Sequence, residues 1–136
     1  MCKLGDIIVV ESYLGENKEE INRHSFIVIS DEPSKIQGLP YDLVTTVISS
    51  FKGKQHKKEK LSYKGNKEIK TFIKNEREVS MKKDSYIKAD KLFYFNKDKL
   101  KYYVFGRISD DLLEELFKLI IELREESKLI DVKDNL

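Results

Sequence analysis

Hydrophobic positions along this chain follow two rhythms. Up to about residue 105 they come in short β-branched or aromatic runs separated by polar stretches, and from Ser109 onward they recur at helical spacing. Ile7-Ile8-Val9-Val10 follows the turn residues Gly5-Asp6. Phe26-Ile27-Val28-Ile29 is approached directly from Arg23-His24-Ser25, and Leu43-Val44-Thr45-Thr46-Val47-Ile48 ends at Ser49-Ser50. Each run is short, continuous and bounded by polar residues, the pattern of a strand buried on both faces. Polar residues 12–22, with Gly15 and Asn17, predict a mobile loop, and residues 31–40, with Pro33, Gly38 and Pro40, predict another.

Beyond residue 50 the strand signal weakens. Leu61-Ser62-Tyr63 and Thr71-Phe72-Ile73 are short candidates, and residues 86–95 are aromatic-rich, with Leu92-Phe93-Tyr94-Phe95 as the expected strand. Asn96-Lys97-Asp98 reads as a turn, and Tyr102–Phe105 as a further strand closed by Gly106. Ser109 then caps a helix that has Asp110 and Asp111 near the positive end of its dipole. Its apolar stripe is Leu112, Leu113, Leu116, Phe117, Ile120 and Leu123, broadened by Leu119 and Ile121. Several short strands followed by one long helix predict a mainly β protein, a small barrel or strongly curved sheet with the helix packed on it. The expectation is one domain over residues 1–136, with a core at about 4–125 and a weakly periodic tail at 126–136 that frays or orders only on contact.

Composition sharpens this picture. Charged residues make up 37% of the chain, against roughly 25% in an average globular domain, and they are unevenly placed. Residues 1–50 hold 4 Lys/Arg against 8 Asp/Glu, residues 51–101 hold 17 against 7, and residues 102–136 hold 5 against 9. A middle of net +10 between two ends of −4 each predicts an electropositive surface suited to a polyanion, or simply a Lys-rich solvated region. The single cysteine, Cys2, excludes an internal disulfide and a cysteine zinc site, and it fits a reducing compartment. With no signal-peptide pattern and no apolar run near the ~18 residues of a membrane span, a soluble cytoplasmic protein is expected.

The common phosphate-loop, dinucleotide, zinc-protease and serine-hydrolase motifs are absent, and His24 and His56 stand far apart. Candidate chemistry therefore lies at strand ends: Arg23-His24 before the second run, and Ser49-Ser50 after the third. An arginine fork near hydroxyls suits a phosphodiester. The following Lys52, Lys54, His56, Lys57 and Lys58, read as a basic loop, join Ser50 as candidate RNA-binding residues. With no tryptophan, base stacking would fall to Tyr or Phe. The same residues also read as a surface salt-bridge arginine, a serine turn and a solvated lysine loop.

Taken in order, these segments resemble the MazF/PemK (Kid/CcdB-like) toxin family. Gly5-Asp6-Ile7-Ile8 resembles the family's opening strand, Arg23–Ser30 its Arg-Pro-x-x-Val-Ile block, and residues 43–50 the strand ending in Thr-Ser. Residues 84–92 resemble its Asp-Ser-x-[Ile/Val] segment, and Gly106-Arg107-Ile108-Ser109 with Leu112-Leu113 the start of its final helix. The resemblance spans about residues 4–124. It implies an SH3-like barrel forming a homodimer, a metal- and cofactor-independent endoribonuclease acting on single-stranded RNA, and an antitoxin whose extended segment blocks the RNA groove. Arg23 then matches the family's catalytic arginine, and Ser49 its catalytic threonine. The chain departs from the pattern with His24 in place of proline, Ser49 in place of threonine, and a longer, Lys-rich region at 52–83.

In such an enzyme the RNA 2′-OH is the nucleophile. Arginine stabilises the phosphorane but is a poor base, because it stays protonated at any physiological pH. His24 is the candidate acid/base partner, although strand alternation points it away from Arg23. Two other classes stay open: a catalytically silent nucleic-acid-binding barrel, and a peptide-binding interaction module.

Overall fold

The computed structural model describes residues 2–136. Among the described residues nine strands and two α-helices follow in the order β1 (Asp6–Leu14), β2 (Glu20–Ser30), β3 (Ser34–Ile36), β4 (Leu39–Tyr41), β5 (Leu43–Ser50), α1 (Lys54–Leu61), β6 (Asn66–Lys74), β7 (Arg77–Phe95), β8 (Tyr102–Arg107), α2 (Asp110–Glu125) and β9 (Ile130–Val132), with a single 3-10 turn at Lys97–Lys99 between β7 and β8. The chain is mainly β with a C-terminal helix. Its main sheet runs β5-β2-β1-β8-β6-β7-β9, and β7 also pairs with β5, so the strands close into a ring. The seam is weakest between β6 and β8, which share only the pair Ile73↔Arg107.

Strand alternation sends neighbouring side chains into two apolar layers. Ile7, Ile27, Ile48, Ile69 and Ile87 belong to the layer on which α2 lays Leu116, Ile120 and Leu123. Ile8, Val10, Phe26, Val28, Val47, Phe93 and Phe95 fill the other. This is why the runs of β1, β2 and β5 are continuously apolar: both of their faces are covered. Two buried threonines in β5 also fit, since Thr45 Oγ1 donates to the Phe93 carbonyl (3.2 Å) and Thr46 Oγ1 to the Lys88 carbonyl (2.6 Å).

β7 meets three neighbours because it bends. Its register against β5 jumps from Thr46↔Leu92 to Val47↔Lys88, so three extra residues, Ala89-Asp90-Lys91, bulge out. The Thr46 hydroxyl holds one side of the bulge, and the Ala89 N–H, bonded to the Gly65 carbonyl at 2.9 Å, holds the other. Bulges of this kind turn a strand and re-aim its side chains.

Several sequence expectations are revised. Residues 12–22 are not a loop: β1 continues to Leu14 and β2 starts at Glu20, leaving only a tight turn with Lys18 at φ 62°. The loop expected at 31–40 contains the small β3–β4 hairpin, turning at Gln37-Gly38. Residues 54–61 form α1 rather than a basic loop, and Leu61-Ser62-Tyr63 is the helix end and turn rather than a strand. α1 escapes a hydrophobic-pattern reading because none of its residues is buried. Residues 66–95 form one long hairpin whose turn residues, Asn75 and Glu76, both take positive φ (52° and 64°). The tail does not fray: β9 adds in parallel to β7, and Asn135 exchanges hydrogen bonds with the Leu14 backbone at 2.6 and 3.0 Å. On α2, Ser109 caps as expected, accepting from the Leu112 N–H at 3.2 Å, while Ile121 faces solvent at 57% exposure. Among the described residues no helix is long and apolar enough to cross a membrane.

Leu116 is fully buried where α2 meets the ring. Leu116→Ala is expected to lower unfolding free energy by about 2–5 kcal/mol through lost burial and a residual cavity. Urea denaturation followed by circular dichroism measures this.

Candidate functional site

The register of β2 against β5 decides which of the candidate residues can act together. Ser25 lies opposite Ile48 in the antiparallel pair, and continuing that register sets His24 beside Ser49 and Arg23 beside Ser50. Residues opposite one another share a face, and their chain neighbours take the other. Arg23 and Ser50 therefore open on one side of the sheet, and His24 and Ser49 on the other. The expected companionship of Arg23 with Ser49 is corrected to Arg23 with Ser50.

The Arg23 side is a groove of about 360 Å³. Its walls carry Ser25, Ser50 and Ser85, its rim Lys82 and Lys83, and its floor Phe72 and Phe105, with Val79 and Met81 from the β6–β7 hairpin. The Phe72 and Phe105 rings lie 5.1 Å apart at a 34° tilt, and Lys74 Nζ sits 4.6 Å from the Phe105 centroid. Arg23 Nη2 donates to the Tyr103 hydroxyl, and the guanidinium carbon lies 5.7 Å from the Tyr103 ring centroid. This reach across the sheet follows from β1, whose Val9 pairs with both Ser25 of β2 and Tyr103 of β8. Among the described residues no ion pair involves Arg23, Lys82 or Lys83. The surface salt-bridge reading of Arg23 thus finds no carboxylate partner. Three cations around an aromatic-floored groove can take up a phosphate backbone while bases stack.

His24 faces the opposite layer. Its ring makes edge contacts with Tyr13 (6.2 Å) and Phe26 (6.3 Å). Burial pushes its pKa below the ordinary value, the Ile48 backbone carbonyl opposes this, and the Lys88 ammonium adds to the lowering. His24 borders the Arg23 groove as well, but its ring contacts lie on the opposite face, so the imidazole is not turned toward Arg23.

The basic run falls into separate surfaces. His56 Nδ1 accepts the Lys52 N–H at 2.9 Å, just ahead of the first turn of α1. The His56 ring also lies 6.3 Å from Phe51 and 6.4 Å from Tyr86, which stack on each other at 4.7 Å. This fastening makes His56 a helix anchor. Lys57 is engaged by Glu68 at 2.9 Å and Asp84 at 3.5 Å, with its ammonium 5.6 Å from the Phe51 centroid. Hydrogen bonding to Glu68 raises its pKa above the ordinary lysine value. Lys52, Lys54 and Lys58 are exposed. None of the five lines the Arg23 groove, whereas Lys82 and Lys83 do.

Sequence reasoning missed Ser25, Ser85, Lys82, Lys83 and Phe105 as groove residues, and Tyr103 as the partner of Arg23. Ser25 was within reach of the period-2 rule, which puts it on the same face as Arg23. The others come from β7 and β8, which reach this face only through long-range pairing of β7 with β5 and of β8 with β1. Among the described residues no group of three or more His, Cys, Asp or Glu is arranged to hold a metal ion. No protein-family model matches the chain, and no curated protein matches it.

The depressed His24 pKa gives a stability prediction. Its ordinary value is 6.5, and the folded state favours the neutral ring. Below 6.5 the unfolded chain binds a proton more readily, so this contribution is present above that pH and is lost as pH falls through the window beneath it. His24→Gln is expected to flatten the fall in stability just below pH 6.5, measured by urea midpoints across a pH series.

Proposed function

We propose that the chain is a small SH3-like barrel of MazF/PemK type that cleaves single-stranded RNA, as the toxin of a toxin–antitoxin pair. The observation carrying this reading is Arg23: a guanidinium with no carboxylate partner among the described residues, held by Tyr103 and facing a groove rimmed by Lys82 and Lys83. In that groove the RNA backbone lies along the cations, and a base rests on the aromatic floor. The 2′-OH attacks the adjacent phosphorus in line with the departing 5′ oxygen. Arg23 donates hydrogen bonds to the non-bridging oxygens as negative charge builds on the phosphorane. Ser50, rather than Ser49, supplies a hydroxyl donor to the same oxygens.

Proton transfer falls to solvent, because the only imidazole close in sequence is turned to the other face. Homodimerisation, a cytoplasmic setting and inhibition by an extended antitoxin segment belong to the same reading. One observation favours a second reading, a nucleic-acid-binding barrel without catalysis. The groove is lined by no carboxylate, and the ring of its one lining histidine, His24, makes its aromatic contacts with Tyr13 and Phe26 of the opposite layer.

Single-stranded RNA incubated with the purified protein in EDTA separates the two. Under the first reading it is cut, and Arg23→Ala lowers the rate by about 10²–10³-fold with an unchanged unfolding midpoint. Uncut RNA that is nevertheless bound in a salt-sensitive way supports the second. If cutting occurs, Ser50→Ala is expected to slow it more than Ser49→Ala. The rate should rise with pH without a histidine inflection and survive His24→Gln.

A further inference from the structure

On the face of the sheet opposite Arg23, the β1–β2 turn overhangs a second pocket, of about 290 Å³. His24 and Ser49 enter it from β2 and β5, and Lys88 and Lys91 from β7. The placement of Lys88 is a built feature. Its carbonyl accepts from Thr46 at the start of the bulge, and its pairing with Val47 turns the side chain to this face. The ammonium is half-buried and lies 6.0 Å from the Tyr86 ring centroid, but among the described residues it has no carboxylate within ion-pair distance. An unpaired, partly desolvated cation is costly unless something anionic joins it.

We propose that this pocket binds a small oxyanion, a phosphate group, between the Lys88 and Lys91 ammonium groups and the Ser49 hydroxyl, with His24 at its inner wall. The site lies across the sheet from the Arg23 groove, with His24 bordering both, and does not depend on the ribonuclease reading.

The charges around it fit a site filled from within the chain when no anion is present. Lys91 is paired with Glu16 of the overhanging turn at 3.0 Å, so a carboxylate of the chain stands where an incoming oxygen would sit. Glu19 is turned back on the turn, where its carboxylate accepts the Asn17 N–H at 2.9 Å. Asp90 and Glu16 act on Lys88 only at a distance and raise its pKa. Burial outweighs them, with Lys91 and Lys60 adding to it, so the Lys88 pKa lies below the ordinary lysine value. Tyr13, whose pKa is pushed up to about 12 by burial and by Glu19, stays protonated and neutral. A phosphate displacing Glu16 would bring more negative charge, and bring it closer, to His24 and Lys88. Both would hold their protons more tightly, and binding would be accompanied by proton uptake.

The test is a phosphate titration of the full chain followed by NMR of the His24 imidazole, with inorganic phosphate and a nucleoside 5′-monophosphate as parallel probes. Saturable binding in the roughly millimolar range is expected, with the His24 titration moving to higher pH. Lys88→Met should weaken binding at least about tenfold, the loss of one charge-assisted contact. Glu16→Gln should tighten it, and Arg23→Ala should leave it unchanged. A nucleotide binding more tightly than phosphate would mark a nucleotide-bound group as the ligand, and equal binding would mark the free ion. The proposal is overturned if His24 does not respond to either probe, or if Arg23→Ala removes the response while Lys88→Met keeps it. Should Lys88→Met fail to fold, the opposite signs expected of Glu16→Gln and Arg23→Ala decide the matter: a Glu16→Gln protein that binds no better than wild type overturns it.

Discussion

The pairing of β2 with β1 on one edge and β5 on the other governs the rest of the molecule. Phe26, Ile27 and Val28 are wholly buried, two of them in one apolar layer and Ile27 in the other. A slip of one residue would send both sets to the wrong side, so the register is fixed by two cores at once. Each core can be read as a lock on the other. The layer covered by α2 requires Ile27 and Ile48 to face it, and the aromatic layer of Phe26, Phe93 and Phe95 requires the opposite face.

The polar ends of these strands inherit that register without contributing to it. Arg23 and His24 are adjacent in the chain, yet they serve surfaces separated by the sheet itself. The first becomes part of a cation-rimmed groove because β1 brings β8, and hence Tyr103, alongside. The second is drawn into the aromatic layer with Tyr13 and kept neutral by burial. The weak β6–β8 seam has its own consequence: where ladder pairing is nearly absent, Phe72 and Phe105 come together as the floor of the groove.

The net positive charge of the middle segment is likewise divided by structure into different physical kinds. Lys57 is consumed by Glu68 and Asp84 in fastening α1, and Lys64 by Glu122 and Glu126 in tying the turn after α1 to α2. Lys82 and Lys83 stand at a groove in contact with solvent, where their field acts at long range and is screened by salt. Lys88 is set against the bulge in a partly desolvated pocket, where a single charge has a larger effect.

The sequence by itself determined the buried strands at Ile7–Val10, Phe26–Ile29 and Leu43–Ile48, the capped helix from Asp110 and the mainly β class, whereas Arg23, expected just before a strand, lies inside β2. Each of these rests on local chemistry: β-branched runs, turn residues, and a Ser-Asp-Asp helix start. The tertiary structure alone decided the existence of α1, the length of the β6–β7 hairpin, the ordering of β9, and the partners of Arg23. α1 has no apolar face to advertise it, and the outer part of β7 offers only Val79 and Met81 among exposed polar residues because it projects from the core. β9 pairs with Lys91–Phe93, a stretch of β7 beyond the last residue paired with β6. Whether Arg23 meets Ser49 or Ser50 is a matter of parity between two strands far apart in sequence. Parity is set by long-range packing of both faces, which no local pattern around either residue contains.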